Sequence, residues 1–449
     1  MVSTHDRPRL TVAIVGGGIG GLCTALSLHY HCGSALQINV YEQAPQYKEI
    51  GAGVGIGINA AKLLYKIGIG EKVAAIAGKR SGIWITFRKF DDGTDVVTVP
   101  LEETGEVRQT PVHRAEFLDL LVDIVKQRNA ADLYTNKRCR KLTEDGDQVL
   151  IDFEDGTSTK ANLVIGCDGI HSAVRAQFTS DNPDYSGRIA YRGLVPISEI
   201  ESWWGFDTYS VTWLGKNRHF LCFPISQNKI LNIVAFVAEK EENLGDLRES
   251  WTAVGEKQEV FDAFKLFEER VQKVIQLMDD QPSKWLINDR KPLDQWVYLG
   301  GKVVLLGDAA HAMTPHQGQS LELLFFDRTN KRKGAGAGQA IEDGYILGRA
   351  LSDYLQSSHS SSDALESWVQ LYQDVRLPRA QKVQRTSRDA VEVYQAQADI
   401  MKDLPFDECV PEIHKRVIDR MRWVWTDDID AEYDQAVKKR KAPSISAHI

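Results

Sequence analysis

The period of the apolar residues changes several times along the chain, and each change predicts a change of element. Thr11-Val12-Ala13-Ile14-Val15 is an unbroken apolar, β-branched run, the pattern of a strand buried on both faces. Residues 22–30 carry Ala, Leu and Cys at helical spacing, and Gln37-Ile38-Asn39-Val40-Tyr41 returns to a strand. Residues 59–67 read as a helix, 82–88 as an alternating strand with 96–99 as its hairpin partner, and 115–125 as an amphipathic helix. Residues 149–157 predict a hairpin turning at Asp155-Gly156. Asn162-Leu163-Val164-Ile165-Gly166-Cys167 and Lys302-Val303-Val304-Leu305-Leu306 repeat the buried-strand pattern. Between them lie four β-like runs, 190–196, 209–214, 219–225 and 230–237, with Trp203, Trp204 and Trp213 among them. That grouping predicts an antiparallel sheet with one covered face, an architecture unlike the opening βαβ. Residues 245–279 are charged and mostly helical, and 339–351 predict a helix entered through the glycine-rich 334–338. A long helical stretch at 363–398 should kink or break at Leu377-Pro378.

Glycine spacing gives the first element its chemistry. Gly16-Gly17-Gly18-Ile19-Gly20-Gly21 follows the first strand at once and satisfies G-x-G-x-x-G with Gly16, Gly18 and Gly21. Gly16 allows the tight turn, Gly18 lets backbone N–H groups approach a pyrophosphate, and Gly21 lets helix and strand pack closely. Glu42 ends the second strand, where a carboxylate hydrogen-bonds ribose hydroxyls and repels a 2′-phosphate. A purely structural glycine turn would leave Glu42 unexplained, so this segment reads as a dinucleotide site. The glycines of Gly51-Ala52-Gly53-Val54-Gly55-Ile56-Gly57 fit no second fingerprint. They suggest either a backbone lying close to something flat or bulky, or a flexible loop. Arg114, at a helix entrance, suits a solvated capping role or a phosphate contact. Asp168 is placed to accept N–H bonds at a helix start, with Ser172 and Arg175 three apart on one face, though Asp168-Gly169 alone equally makes a plain turn.

Composition narrows the class. The 449 residues can bury a large core, and a net charge of −8 offers no nucleic-acid footprint. Six cysteines show neither a C-x-x-C pair nor a metal-ligand rhythm, which fits thiols in a reducing compartment. The polar first ten residues and the absence of a long apolar window predict a cytoplasmic protein without a membrane span. The basic run Lys438-Lys439-Arg440-Lys441 reads as a solvated terminus.

Three separated motifs now line up: Gly16 to Gly21 with Glu42, then Asp168-Gly169 with Ser172 and Arg175, then Gly307-Asp308 with Pro315. In this order they resemble the single-component FAD-dependent aromatic monooxygenases, the group A or para-hydroxybenzoate-hydroxylase-like enzymes. Within that group Val112-His113-Arg114-Ala115-Glu116-Phe117-Leu118, Tyr191-Arg192-Gly193-Leu194-Val195-Pro196 and the stretch from Ala309-Ala310-His311 through Pro315-His316-Gln317-Gly318 look most like salicylate hydroxylases. The resemblance implies an α/β fold: a Rossmann-like FAD-binding domain interleaved with an antiparallel-sheet substrate domain, with long C-terminal helices. Its parts would be 1–80, 110–185 and 290–360 for the cofactor, 81–109 and 186–289 for the substrate, and 361–449 for the C-terminal helices and tail. It implies Glu42 on the adenosine ribose, Gly55 and Arg114 lining the FAD cleft, and Asp168 to Arg175 serving both FAD and nicotinamide. Asp308 would meet the ribityl chain, and Pro315, Gly318 and Ala337 would border the isoalloxazine.

By the same resemblance the protein would be a monomer or homodimer consuming O₂ and NADH or NADPH, the nicotinamide visiting transiently because only one fingerprint exists. The implied reaction is hydroxylation of a phenolic aromatic acid, salicylate-type, with decarboxylation to a catechol. His316 is the leading base or phenol-orienting candidate, His219 the second, and Arg192 the partner for the carboxylate. Some relatives carry Tyr where this chain has Phe223, which removes a phenol role there. A non-decarboxylating or dearomatising hydroxylase of a phenolic polyketide is the alternative. One departure stands out: residues 319–334, apolar and then basic, separate Pro315-His316-Gln317-Gly318 from the Ala335-Gly336-Ala337-Gly338 that normally follows it directly. They read as a lid loop or, preferably, as an unspliced intron, in which case the chain as written would be an inactive, FAD-poor product.

Overall fold

The computed structural model describes residues 9–47, 53–78, 82–101, 103–245, 252–316, 337–357 and 364–441. Gly318 and the 319–334 interruption lie outside these. One six-stranded sheet runs in the order Val297–Tyr298, Val303–Leu305, Leu163–Gly166, Leu10–Val15, Leu36–Tyr41, Asp132–Tyr134. All its pairings are parallel except that of the Val297–Tyr298 edge. The three apolar runs of the sequence become its central strands, and they are buried, as parallel strands covered on both faces require. Register decides what this achieves. Val15 pairs with Tyr41 on one side and Gly166 on the other, and Gly166 pairs with Leu305. The glycine turn, Glu42, Asp168 and Asp308 therefore leave the sheet side by side at its carboxyl edge, where open α/β sheets bind ligands.

The second sheet has eight strands, ordered Thr252–Val254, Ser283–Asp289, Asp184–Pro196, Ile230–Ala238, Arg218–Ile225, Val211–Gly215, Ile83–Lys89, Asp95–Pro100. It differs from the expected sheet in two ways. Val211–Gly215 pairs with Ile83–Lys89 in parallel, so the sheet is mixed. Both faces are also covered. Ile189, Trp213, Phe220 and Ile233 pack against Phe264, Val271 and Ile275 of the helices Lys257–Phe264 and Glu269–Leu277. On the other face Ala190, Leu221, Phe223 and Phe236 pack with Val393 and Tyr394, and with Cys409 and Ile413 of the helix Phe406–Thr426.

Two helical readings are corrected. Leu365–Tyr394 is one helix of 30 residues with Pro378 inside it, so the proline neither ends nor divides the element. The ring costs one ladder bond, but its neighbours Arg376 and Arg379 are fixed by buried ion pairs on either side. After Asp168 no α-helix forms; the chain makes turns and a three-residue 3-10 segment, Arg175–Gln177. The basic tail run is the last turn of a helix, Ile429–Lys441, where cations suit the helix dipole. Among the described residues no helix is long and apolar enough to cross a membrane.

Candidate active site

At the glycine turn two of the fingerprint glycines are required by the protein and one by what lies outside it. Gly16 has φ +110, and a Cβ there would sit 2.3 Å from the Cys167 carbonyl oxygen. A Cβ on Gly21 would sit 2.0 Å from the Gly16 carbonyl oxygen. A Cβ on Gly18 would touch nothing within 4 Å, so its absence keeps room for a ligand. Gly18 also precedes the 14-residue helix Ile19–Cys32 without a side-chain cap. A buried helix start whose first N–H groups lack a capping side chain, flanked by an open glycine, is an anion site. The turn therefore fits a dinucleotide pyrophosphate. Glu42 is fixed beside it: Oε2 accepts from the Gly17 N–H and Oε1 from the Ala44 N–H, both at 2.8 Å. The carboxylate thus stands beside the turn, where it would meet a ribose hydroxyl.

The neighbouring Asp168 loop behaves differently from its sequence reading. Asp168 does accept N–H bonds, from Ala173 at 2.6 Å and Val174 at 3.2 Å, and its other oxygen takes the Ser172 hydroxyl at 2.5 Å. Those bonds bend the chain into a loop instead of starting a helix. Arg175 is buried, and its guanidinium donates to both Asp181 oxygens, to the carbonyls of Ala309 and Ala310, and to that of Lys291. All five donors are thus engaged within the protein. Arg175 ties the Asp168 loop to the segment after Asp308.

Asp308 opens a short helix, Asp308–His311, from Gly307 at φ +61. Beneath this turn lies a buried charge network that sequence reasoning missed. Asp343 accepts from the Gly307 N–H at 3.0 Å, from His311 Nε2 at 2.6 Å and from Arg376 Nε at 2.8 Å. Glu342 accepts from Arg376 at 2.5 Å, from Arg379 at 2.8 Å and from the Asn59 amide. Burial alone would raise both carboxyls; the neighbouring cations overrule it, lowering Glu342 and taking Asp343 to about 2. The only sequence hint was a pair of adjacent acids in an otherwise apolar helix, Ala337–Gln356, of which Ala337 is the buried first residue.

Across from this edge a small cavity opens on the second sheet. It measures about 20 Å³ and is lined by Pro315, His316, His219, Phe236, Tyr394 and Trp84, with four further apolar or hydroxyl neighbours. His316 and His219 meet edge to face at 5.4 Å, and both contact Phe236, His219 stacked on it at 4.4 Å. Burial first, then the charge of Arg188, lowers the His219 pKa to about 3. Of the two roles open to His219, base or phenol-orienting group, a lowered pKa suits the second better. The long helix holds the His316 loop: Ser387 Oγ takes the His316 N–H at 3.3 Å, and Gln384 donates to the Ala312 carbonyl at 3.0 Å.

Arg192 is on the same sheet face, but its strand is separated from that of His219 by Ile230–Ala238. Its guanidinium lies over Trp285 and feels the charge of Arg114; it does not line the cavity. The structure therefore separates Arg192 from the two histidines. Burial first, then Arg114, depresses its pKa well below the usual range. Two buried guanidiniums close enough to feel one another's charge favour an anionic group nearby. Gly55 lies in Gly53–Ile56, which pairs with the Thr110–His113 strand leading into Arg114. Gly53 answers the question left by the second glycine run: a Cβ there would come within 2.2 Å of the Phe223 ring, so the backbone does lie against a flat group.

Comparison with known proteins agrees with this geometry. The FAD binding domain family matches residues 9–387. A salicylate hydroxylase of Pseudomonas putida is 34% identical, the match covering 96% of this chain and 94% of the relative. A 6-methylsalicylate 1-monooxygenase of Aspergillus terreus is 33% identical over 96% of this chain and 92% of its own. The solved structure of a salicylate hydroxylase substrate complex superposes with a TM-score of 0.75 at 29% identity, covering 96% of this chain and 98% of that one. The turn, the carboxyl-edge motifs and these relatives agree: the chain belongs to the FAD binding domain family and is an FAD-dependent flavoprotein monooxygenase of the aromatic hydroxylase type.

Proposed function

We propose that the protein hydroxylates a phenolic aromatic acid of the salicylate type at the ring carbon bearing the carboxylate, releasing CO₂ and a catechol. The observation that carries this is the aromatic cavity in which two imidazoles meet with ring centres 5.4 Å apart. Relatives named for salicylate and 6-methylsalicylate support the substrate class. In this reading the six-stranded sheet serves the cofactor and the eight-stranded sheet the substrate. Gly16, Gly18, Gly21, Glu42 and Asp308 would hold FAD, with Arg114 and Arg192 offering positive charge to the cleft. Bound FAD supplies electron transfer from NAD(P)H and the activation of O₂. One oxygen atom goes to the ring and the other leaves as water. The chain's own task is to orient the ring, exclude water and take the phenol proton, which we assign to the imidazole of His316. A cavity of about 20 Å³ holds roughly one water, so a ring enters only as the His316 loop gives way.

Anaerobic flavin reduction by NADH and by NADPH across a panel of hydroxybenzoates, followed by product and CO₂ analysis, tests this. Faster reduction with salicylates and stoichiometric CO₂ is the expected result; hydroxylation without CO₂ overturns the decarboxylating part. That second reading, a non-decarboxylating hydroxylase, is favoured by one observation: among the described residues no arginine or lysine lines the cavity to pair with a carboxylate. The interruption is tested separately. Deleting residues 319–334 restores the motif spacing and should tighten FAD binding and speed turnover. Equal affinity and turnover would make it a tolerated loop, and a yellow protein as purified would remove the FAD-poor reading.

A further inference from the structure

The hydrogen bonds behind His219 decide which of its nitrogens carries the proton. Gln395 is fully buried, and its Nε2 lies 3.2 Å from His219 Nδ1. Taken alone this contact leaves the direction of donation open, because an amide can be turned either way. Arg188 closes the question. Its Nε–H donates to Gln395 Oε1 at 3.3 Å, and an arginine can only donate, so the amide oxygen must face Arg188 and the NH₂ must face the ring. His219 Nδ1 is then an acceptor, and the proton sits on Nε2. Arg188 is itself held: its other donors go to the Ser186 carbonyl at 2.7 Å, to Glu392 at 2.7 Å and to Gln397.

We propose that Arg188 and Gln395 are positioning residues that lock His219 as a neutral Nε2–H donor toward the cavity, selecting substrates that present an oxygen acceptor there. The specificity part rests on the cavity being the substrate site. The arrangement gives the two histidines different work. His219 donates a hydrogen bond to a phenolate or carboxylate oxygen, while His316 keeps the role of proton acceptor. Burial supports the lock, since the charged form of His219 is disfavoured throughout the neutral range. The polar and charged groups around the ring are Arg188 on the strand beyond Ile230–Ala238, Gln395, Tyr394 and Glu392 on the helix side and His316 on the loop. Of these, Arg188 disfavours the imidazolium, and Glu392 is already paired with Arg188.

The lock can be read directly. Full-length protein labelled with ¹⁵N-histidine, with the His219 signals identified by their loss in His219→Phe, should show Nε2 protonated and Nδ1 bare from about pH 5.5 to about pH 8.5. Gln395→Glu replaces the donor by an acceptor, so the proton should move to Nδ1 and the ring should begin to titrate near neutrality. Arg188→Met should give a mixture of tautomers, and Arg188→Lys, which still donates to Oε1, should restore the single one. In the same variants Arg188→Met and Gln395→Glu should raise KM for the phenolic acid about tenfold while kcat changes less than about twofold. A wild-type ring protonated at Nδ1, or titrating near its ordinary value, overturns the proposal; so does an Arg188→Met spectrum identical to wild type. An altered tautomer with unchanged KM overturns the specificity part. If wild-type protein binds no phenolic acid yet shows these spectra, the substrate reading fails and the lock stands.

Discussion

The two walls that meet at the site are built by opposite means. The carboxyl edge of the parallel sheet is shaped by backbone: glycines whose missing side chains make room, N–H groups at a helix start, and a few carboxylates that fasten loops. The face of the mixed sheet is shaped by side chains, with two imidazoles, a stacked phenylalanine and a tyrosine whose orientations depend on residues one layer back. The difference teaches where each wall tolerates change. A backbone-built site fails by steric collision at single positions. A side-chain-built site fails by loss of orientation, with the fold intact.

The sharpest way to break the comparison is at Gly21. A valine there would drive a branched side chain from a Cβ position 2.0 Å from the Gly16 carbonyl, with backbone on both sides. Neither wall of that contact can give, so we expect more than about 4 kcal/mol of destabilisation and no retained FAD. Thermal melts and the flavin spectrum check both. A Gly21→Val protein that is stable and yellow would mean the helix and strand are not held as closely as the structure has them.

Asp343 ranks next, because it is where the side-chain style of construction reaches under the backbone-built edge. Asp343→Ala leaves His311 without its buried carboxylate and Arg376 with that of Glu342 alone, and frees the Gly307 N–H. Breaking a buried pair from one side costs about 3–5 kcal/mol. Denaturant midpoints should show that loss, and FAD affinity should fall with it. If stability falls and affinity does not, the network serves the helices alone.

How much of each wall was legible follows from how local its causes are. Gly16, Gly18, Gly21 and Glu42 lie within one βαβ unit, so their spacing alone revealed the turn, its ligand and the carboxylate's place. The tie that Arg175 makes was not legible, because its partners Ala309 and Ala310 are 134 and 135 residues away and no local pattern announces them. Asp343 with Arg376 is an inter-helix pairing across 33 residues, visible in sequence only as an acid where an apolar residue would serve. The second face of the mixed sheet was read as open because what covers it, Val393, Tyr394, Cys409 and Ile413, comes long after the strands. Gln395 carried no signal at all; a glutamine gains its meaning here from an arginine on another element.

Acid should separate the two walls. The His219 pKa is lowered from 6.5 to about 3, so the unfolded chain binds the proton first and stability declines as pH falls from about 6.5 toward 3. Asp343 is lowered from 3.8 to about 2; its contribution is present above 3.8 and is lost as pH falls through about 2. Two pKa units correspond to about 2–3 kcal/mol. Urea midpoints measured against pH should therefore fall in two stages. The upper stage should shrink in His219→Phe, leaving the part that His31, lowered by burial to about 4, contributes, and the lower should shrink in Asp343→Asn. A single stage unchanged by either substitution would show that other groups control the acid response.

His316→Ala probes orientation with little effect on fold. It should reduce the fraction of NAD(P)H oxidation that yields product by about tenfold and alter the pH profile of hydroxylation, while flavin reduction continues. Unchanged coupling would make His316 a structural wedge against Phe236.

The smallest effect is expected at Glu42, and it tests whether the backbone-built wall contains any orientation-dependent part. Both carboxylate oxygens of Glu42 accept from backbone N–H groups, of Gly17 and of Ala44. Glu42→Gln keeps the length and shape of the side chain, yet it must turn an NH₂ toward one of those two N–H groups whichever way the amide lies. One of the two bonds becomes a donor–donor contact, and the charge that favours ribose hydroxyls is lost as well. The protein should fold with nearly normal stability, because the site is partly exposed and water can satisfy the abandoned N–H. FAD affinity should weaken by about tenfold, which is about 1.4 kcal/mol. Glu42→Arg, which removes both acceptors and reverses the charge, should weaken it further. Fluorescence titration of FAD decides the matter. Equal affinity in wild type, Glu42→Gln and Glu42→Arg would show that the glycine turn alone holds the nucleotide, and that the carboxylate only fastens the loop between Glu42 and Ala44.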